Sequence, residues 1–402
     1  MTNTQGALSG LRVIDMTKFI AAPFGAMHLA DMGADVIKVE APPKGDPNRY
    51  RDDNSGLSSG FRAVNRNKRS IMLDLTTEAG HDVLSRLLST ADVMIVTMRP
   101  ASRTKLKIAY DQLRERYPKL IYVSVTGFGE DAADKHSFDT TAIAMSGLLR
   151  QLSIDTSKPL RMSTFLADQL TGLYVAYGVL CALQARHRTG RGQYLSTSLL
   201  RATIGFSTVS FYHFFDKNRA DQEKTPDGKT RFRSAAFFGT ASDGLDLAMH
   251  VPPSPAFYWG AFASALGRQD LTADPRFRSR TARDKNYEEL DAIVREIIAT
   301  RPRDEWLEVM DTHEIACAPV CDTSEVFTEP VAQALGLLTR VPNADNPDEL
   351  TIGPAVGFSE TPGQIRHSAP RLGENTAEIL AELGYSVDEA AELVLTLNQS
   401  SQ

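Results

Sequence analysis

Short apolar runs of strand length alternate with longer amphipathic stretches over the first two hundred residues. Residues 11–16 and 34–40 are rich in β-branched side chains. Between them a turn leads into a helix that ends at Gly33. Strand, turn, helix and strand in this order form a βαβ unit, which places the strands side by side and parallel. The pattern therefore predicts an α/β domain with a parallel sheet.

The same alternation continues along the chain. Between the first predicted unit and the next strand lies a polar stretch, 41–62, that we predict to be a long loop. Further strands are predicted over 71–75, 91–97, 120–128, 193–198, 245–251, 337–342 and 350–352, with an extended segment over 318–321. Helices are predicted over 77–90, 110–117, 139–151, 166–188, from 199 onwards, and over 254–266, 287–300, 303–313, 374–383 and 387–398. Residues 216–233 are strongly charged and predict a linker or an exposed arm.

Composition narrows the function classes. The 402 residues carry a formal net charge of −6, which argues against general binding to nucleic acid or to membrane surfaces. The longest uncharged apolar run, 170–183, is too short to span a bilayer. No signal peptide is visible, and the three cysteines form no C-x-x-C pair. We therefore expect a cytoplasmic protein with reduced thiols.

Several familiar sites are missing from the sequence. Glu40 follows the second predicted strand, as the acidic residue of a dinucleotide site would, but no G-x-G-x-x-G follows the first strand. The histidines are scattered, and His313-Glu314 is not completed to H-E-x-x-H, so no metal site is expected. There is also no G-x-S-x-G motif and no phosphate-binding G-x-x-x-x-G-K-[ST] loop.

Two features remain as candidate chemistry. Residues 65–70, Asn-Arg-Asn-Lys-Arg-Ser, run into a predicted strand and are either a solvated loop or a phosphate site. Asp168 lies near the start of a long apolar helix, after a possible N-cap at Ser163 or Thr164. A carboxylate there is either a charge that interacts with the helix dipole or a nucleophile held in a dry site. Position alone does not decide between the two.

Ordered motifs along nearly the whole chain resemble one enzyme family. They are Leu8-Ser-Gly-Leu-Arg-Val-Ile-Asp15, Gly33-Ala-Asp-Val-Ile-Lys-Val-Glu40, Asn67-Lys-Arg-Ser70, Leu120-Ile-Tyr-Val-Ser-Val-Thr-Gly-Phe128, Ala167-Asp-Gln-Leu-Thr-Gly172, Arg188-Thr-Gly-Arg-Gly-Gln193, Asp274 to Phe277, Cys317-Ala-Pro-Val320 and Pro370-Arg-Leu-Gly-Glu374. The chain resembles the family III coenzyme A transferases, also called CaiB/BaiF, which include formyl-CoA and carnitine CoA-transferases.

The resemblance implies a function and an architecture. It implies reversible transfer of CoA from an acyl-CoA to a carboxylic acid. Asp168 would be the nucleophile, and an acyl-aspartyl anhydride and an aspartyl-CoA thioester would be the intermediates. It also implies a large Rossmann-like domain over 1–220, a linker and small α/β domain over 221–330, and a return to the large domain over 331–402. Family members are interlocked homodimers, and 216–233 would be the crossing segment.

The resemblance also implies positions that contact CoA. They are Phe19, Ala21, Leu73, Thr97, Met98, Lys105, His136 and Phe138. Cations at Lys38 and in the segment from Arg66 to Arg69 would neutralise part of the phosphate charge. Thr97 stands where an Asn is usual, Lys105 where an Arg is common, and Phe138 where a Tyr is frequent. Two alternatives stay open. An α-methylacyl-CoA racemase would keep a His at the place of Phe138, and a CoA-binding protein without turnover would tolerate the departures.

Overall fold

The computed structural model describes residues 6–51, 55–153, 158–215, 233–252 and 256–399. The chain divides into two compact units, one comprising Met1–Thr208 and Gly336–Gln402 and the other comprising Val209–Leu335. The charged stretch predicted as a linker over 216–233 lies outside the described residues, apart from its last position.

The first unit is built on a six-stranded parallel sheet with the strand order β3-β2-β1-β4-β5-β6. Its strands are β1 (Arg12–Met16), β2 (Asp35–Glu40), β3 (Lys68–Met72), β4 (Val93–Val96), β5 (Ile121–Thr126) and β6 (Tyr194–Ser198). The order reverses between β1 and β4, which is the doubly wound arrangement. The predicted α/β class with a parallel sheet is confirmed.

Both faces of this sheet are covered, which explains why its strands are continuous apolar runs. Val13 belongs to one buried cluster and its neighbour Ile14 to another, because successive side chains point to opposite faces of a strand. The helices of the unit, in chain order, are α1 (Ala21–Asp31), α2 (Ser59–Asn65), α3 (Glu78–Thr90), α4 (Pro100–Lys105), α5 (Tyr110–Leu113), α6 (Asp139–Met145), α7 (Leu148–Leu152), α8 (Leu166–Thr189) and α9 (Leu199–Phe206).

Two predicted segments differ from the structure. The stretch 41–62, predicted as a loop, contains a 3₁₀ turn at Pro47–Tyr50 and the start of α2, which Ser58 caps by accepting the N–H of Phe61 at 3.1 Å. The pattern missed α2 because its buried face is short and includes a polar residue, Asn65. The single helix predicted over 139–151 is divided at Gly147. This glycine has a φ of +82°, a left-handed conformation that interrupts an α-helix.

Helix α8 packs directly against α1, and two glycines make this approach possible. A Cβ added to Gly25 would lie 2.6 Å from the carbonyl oxygen of Gly172, and one added to Gly172 would lie 2.6 Å from that of Ala21. Helix backbones approach this closely only where no side chain separates them. The contact fixes the first turns of α8, which include Asp168, beside the start of α1.

The remaining surface of α8 is partly uncovered. The helix has 24 residues and is long and apolar enough to cross a membrane, by length and composition alone. Its covered side packs on α1, α9, β5 and β6, as a core helix does. Leu173, Tyr177 and Leu180 on another side are 50%, 64% and 46% exposed. An apolar patch therefore remains on this helix in the single chain.

The C-terminal part of the first unit adds β10 (Leu338–Arg340), which pairs antiparallel with β11 (Leu350–Ile352). The second unit contains an antiparallel sheet of β7 (Ala236–Thr240), β8 (Asp246–His250) and β9 (Ala316–Pro319). Its helices are α10 (Thr208–Phe215), α11 (Phe257–Ala265), α12 (Arg280–Lys285), α13 (Tyr287–Ile298), α14 (Arg303–Thr312) and α15 (Pro330–Ala334), and the chain ends in the first unit with α16 (Thr376–Glu382) and α17 (Val387–Gln399). A separate core around Phe237, Phe262 and Trp306 shows that the second unit buries its own apolar surface.

Candidate active site

A cavity of about 1140 Å³ lies beyond the carboxyl ends of β1, β4 and β5. Its floor and walls come from the segments that leave these strands, 18–21, 97–99 and 125–127, and from 133–140 and 162–168. This is the place where the strand order of the sheet reverses, so the segments after β1 and β4 leave in opposite directions and open a crevice. The cavity is therefore where an α/β sheet of this type binds ligands.

The segment that leaves β1 is held by two backbone hydrogen bonds. The N–H of Lys18 donates to Thr97 Oγ1 at 3.2 Å, and the N–H of Phe19 donates to Asp46 Oδ1 at 3.1 Å. Phe19 has a φ of +66°, a left-handed conformation that side chains other than glycine rarely adopt. Its ring is 48% exposed and meets Phe138 edge to face, with the centroids 6.2 Å apart. The backbone is thus held in a strained conformation at the edge of the cavity.

Asp168 lies on the cavity wall in the first turn of α8. No side chain of the preceding residue caps this helix; instead Asp139, at the start of α6, accepts the N–H of Asp168 at Oδ1, with a distance of 3.0 Å. Burial, followed by the negative charge of Asp139, raises the pKa of Asp168 to about 7. Burial also raises the pKa of Asp139, although the hydrogen bonds that two backbone N–H groups donate to this carboxylate lower it. Asp168 is therefore a largely buried carboxylate that faces a cavity and is more basic than an ordinary Asp.

Arg51 also lines the cavity. Its guanidinium carbon lies 4.8 Å from the centroid of the Phe165 ring, which directly precedes α8. The positive charge of Arg51 lowers the pKa of Asp168, opposing burial and Asp139. Burial and these two charged groups together set the proton affinity of the Asp168 carboxylate.

The structure brings most of the predicted positions to this cavity. Asp168 lines it together with Phe19, Ala21, Thr97, Met98, His136 and Phe138. Ala21 is nearly covered, whereas Phe138 is 65% exposed. His136 Nδ1 lies 3.5 Å from a guanidinium nitrogen of Arg99, another residue of the lining.

Four predicted positions do not line the cavity. Lys38 is fully buried, forms an ion pair with Asp46 at 3.1 Å and donates to the carbonyl oxygen of Thr17 at 2.8 Å. Arg69 pairs with Asp35 at 2.8 Å and with Glu382 at 2.6 Å. Leu73 is a core residue with 1% exposure, and Lys105 is exposed at the end of α4.

The cations of 65–70 likewise have carboxylate partners. Arg66 pairs with Asp31 at 2.7 Å, and Lys68 with Asp15 at 2.8 Å. Burial lowers the pKa of Lys68 to about 8 against the attraction of Asp15. Because β3 begins at Lys68, these residues lie at the amino end of a strand, whereas the cavity lies beyond carboxyl ends. The structure therefore places the cations of 65–70 in a cluster of ion pairs with Asp15, Asp31 and Asp35, away from the cavity.

Sequence reasoning missed five charged residues of the lining, namely Lys18, Arg51, Arg99, Lys135 and Asp139. Arg51 lies in the stretch predicted as a polar loop, and nothing in its sequence context distinguishes it from its neighbours. Asp139 could have been found, because it opens a predicted helix after a polar loop, as a capping or site residue does. Among the described residues no group of three or more His, Cys, Asp or Glu side chains could hold a metal ion.

The family model, the relatives and the solved structures that resemble this chain all point to the same enzyme family. The family described as CoA-transferase family III matches residues 8–376. The chain is 30% identical to a formyl-CoA:oxalate CoA-transferase of Streptomyces avermitilis, over 95% of this chain and 97% of the relative. It is 32% identical to a succinyl-CoA:mesaconate CoA-transferase of Haloarcula hispanica, over 94% and 97%. The crystal structure of a CAIB/BAIF family protein from Brucella suis superposes with a TM-score of 0.78 at 27% identity, covering 94% of this chain and 100% of that chain.

Proposed function

The chain belongs to CoA-transferase family III and is a CoA-transferase, and on this premise we propose that it moves CoA from an acyl-CoA to a carboxylic acid through covalent intermediates on Asp168. The observation that carries the proposal is the desolvated carboxylate of Asp168 on the wall of a cavity large enough for part of an acyl-CoA. A carboxylate with few water contacts is a better nucleophile than a hydrated one.

The first half of the reaction leaves CoA on the enzyme. An oxygen of Asp168 attacks the thioester carbonyl carbon, the C–S bond breaks, and its electron pair leaves with sulfur as CoA thiolate. An acyl-aspartyl anhydride remains. The thiolate then attacks the aspartyl carbonyl carbon, and the donor acid leaves as a carboxylate. The product of this half is an aspartyl-CoA thioester.

The second half repeats the same exchange with the acceptor. The acceptor carboxylate attacks the aspartyl carbonyl carbon and expels the thiolate, which gives a second anhydride. The thiolate then attacks the acceptor carbonyl carbon and releases the new acyl-CoA together with the free carboxylate of Asp168. No proton is transferred in the cycle, so Asp168 has to be ionised when the donor binds.

The CoA phosphates need cations, and the cavity supplies exposed ones. Lys18, Arg99 and Lys135 lie on segments that follow β1, β4 and β5 and are exposed. We assign the phosphates to these residues rather than to Lys38 and Arg69, whose charges are already matched by carboxylates. Phe19 and Phe138, together with Ala21, Thr97, Met98 and His136, would contact the rest of CoA, and Lys105 and Leu73 would act only indirectly.

The apolar patch of α8 supports a second copy of this chain as partner. Leu173, Tyr177 and Leu180 form a contiguous apolar surface on one side of the helix, and its exposure to water is unfavourable. We propose a homodimer that buries this patch, interlocked as the family resemblance implies. Light scattering of the wild type and of Leu180→Asp tests this, since a charge in a buried interface shifts the mass toward the monomer.

Trapping experiments test the reaction itself. The enzyme is incubated with a panel of acyl-CoA thioesters, then treated with hydroxylamine, and its peptides are analysed by mass spectrometry. We expect a hydroxamate on Asp168 that depends on the acyl-CoA. Asp168→Asn is the test variant, and Asp134→Asn, an exposed Asp that does not line the cavity, is the matched control.

The outcomes separate the proposal from its alternatives. Full transfer by Asp168→Asn, or no adduct on Asp168 with a broad panel, contradicts the mechanism. Exchange of an α-proton with deuterated water in the absence of an acceptor acid would indicate a racemase. Tight CoA binding with neither reaction would indicate a binding protein.

A further inference from the structure

Arg51 differs from the nearby Arg49 in its surroundings. Arg49, on the 3₁₀ turn that precedes Arg51, is fully buried and pairs with Glu40 at 2.6 Å. Arg51 is exposed to the cavity, and no residue in the described part of the chain forms an ion pair or a hydrogen bond with it. Its guanidinium charge is thus available to a ligand.

The ring of Phe165 fixes the position of this charge. The guanidinium carbon lies 4.8 Å from the ring centroid, a cation–π contact that uses the face of the group and leaves its N–H donors for a ligand. Phe165 is the residue before α8, so this contact links Arg51 to the helix that carries Asp168. A planar pair of donors of this kind binds a carboxylate through two parallel hydrogen bonds.

Arg51 and Asp168 line the same cavity, so the guanidinium charge lies on the side where the reaction would take place. Of the charged groups that act on the pKa of Asp168, Asp139 raises it and Arg51 lowers it, after the larger effect of burial. Two carboxylates therefore stand beside the site, and a substrate with additional negative charge would be repelled unless a cation compensates. Among the described residues, Arg51 is a cation that lines the cavity and acts on Asp168 in this way.

We propose that Arg51 binds the non-reacting carboxylate of a dicarboxylic acid, and so selects dicarboxylic acids as acceptors and their mono-CoA thioesters as donors. This inference rests on the proposed function. The reacting carboxylate is a poor ligand for Arg51, because a bidentate ion pair would withdraw the electron density needed for attack on the aspartyl thioester. A second carboxylate at the far end of the acid takes the ion pair and leaves the first one free.

The experiment compares matched acids on the whole enzyme. Transfer rates from one acyl-CoA donor are measured for straight-chain dicarboxylic acids and for the monocarboxylic acids of the same carbon number. The variants are Arg51→Gln, Arg51→Lys and the control Lys44→Gln. Lys44 is an exposed cation in the same loop that does not line the cavity. Hydroxylamine trapping at Asp168 with the donor checks that each variant retains a folded, reactive site.

For the wild type we expect a higher kcat/KM with the dicarboxylic acids. In Arg51→Gln the ratio of kcat/KM for a dicarboxylic acid to that for its monocarboxylic match should fall about 10- to 100-fold, mainly through KM, which is the usual effect of losing one charged hydrogen-bonded pair. Arg51→Lys should be intermediate, because it keeps the charge and loses the bidentate geometry. Lys44→Gln should leave the ratio unchanged.

The failure of this inference differs from the failure of the proposed function. If the wild type transfers CoA and Arg51→Gln lowers both classes of acid equally, or if the monocarboxylic acids are preferred, the role of Arg51 is overturned. If the wild type makes no new thioester with any acid of either class, the proposed function itself fails, and the inference fails with it.

Discussion

The side chain of Asp139 accepts the backbone N–H of Asp168 at 3.0 Å, so one carboxylate caps the helix turn that carries the other. A capping carboxylate from α6 positions the start of α8 while adding a negative charge to its first turn. The same contact therefore serves two purposes. It orients the peptide group of Asp168, and it makes ionisation of the Asp168 side chain more difficult.

Asp139→Asn separates these effects, because an amide keeps an oxygen acceptor and loses the charge. Burial and Asp139 hold the pKa of Asp168 at about 7, and the ionised form reacts. Activity of the wild type should therefore fall as the pH drops through about 7. In Asp139→Asn the acidic limb of the kcat/KM profile should move to lower pH, and activity at pH 6 relative to pH 8 should rise several-fold.

Asp139→Ala is the comparison variant for this test. It removes the charge and the cap together, and should lose about 1 kcal/mol of unfolding free energy as well as shifting the profile. An unshifted acidic limb in both variants would mean that Asp139 does not interact with the reacting carboxylate.

Asp168→Asn should abolish transfer and stabilise the fold at alkaline pH. The pKa of Asp168 rises from 3.8 to about 7 on folding, so the native state holds a proton that the unfolded state has released between these values. Wild-type stability should therefore decrease as the pH rises from about 4 to about 7. Urea unfolding at pH 5 and pH 8 should show a gain for Asp168→Asn that is larger at pH 8, about 1–2 kcal/mol after allowance for solvent screening.

The control for that measurement is Asp134→Asn, because Asp134 is exposed and does not line the cavity. It should show the same stability difference from the wild type at both pH values. A gain for Asp168→Asn that is equal at pH 5 and pH 8 would contradict the assignment of the raised pKa to this side chain.

Much of the fold was predictable because the strands of a doubly covered parallel sheet are uniformly apolar. The runs around Val13, Val36 and Val123 can be placed from the sequence alone. Helix α2 could not be placed, because its buried face rests on Phe61, on which the guanidinium of the buried Arg49 stacks at 3.8 Å. That packing is tertiary, and no local period reveals it.

The candidate site shows a similar division. Asp168 was identified through a resemblance of motifs, and the structure gives it a physical environment. Lys38 and Arg69 are cations in matching motifs, but their carboxylate partners, Asp46 and Asp35, are brought close to them only by the tertiary fold. Arg51 is the reverse case, a cation in an unremarkable polar stretch that the fold leaves without a partner among the described residues.

The location of the CoA phosphates can be tested with two classes of cation variant. Lys135→Gln removes an exposed charge from the cavity lining, and should raise the KM for acyl-CoA several-fold with a stronger effect at low salt. Arg69→Gln breaks ion pairs with Asp35 and Glu382 away from the lining. It should lower the unfolding free energy by about 1–3 kcal/mol and leave that KM unchanged. The opposite pattern would restore Arg69 as a phosphate ligand.

Phe19 provides the last test, because its left-handed backbone conformation lowers the free energy of unfolding. At a φ of +66° glycine is favoured over alanine by about 1 kcal/mol. Phe19→Gly should therefore be more stable than Phe19→Ala by about that amount in urea unfolding, although glycine is otherwise the less stabilising residue. Both variants lose the ring that meets Phe138, so both should bind acyl-CoA more weakly than the wild type. If Phe19→Gly gained stability and kept the wild-type KM for acyl-CoA, the ring would have no part in binding, and the strain would need another explanation.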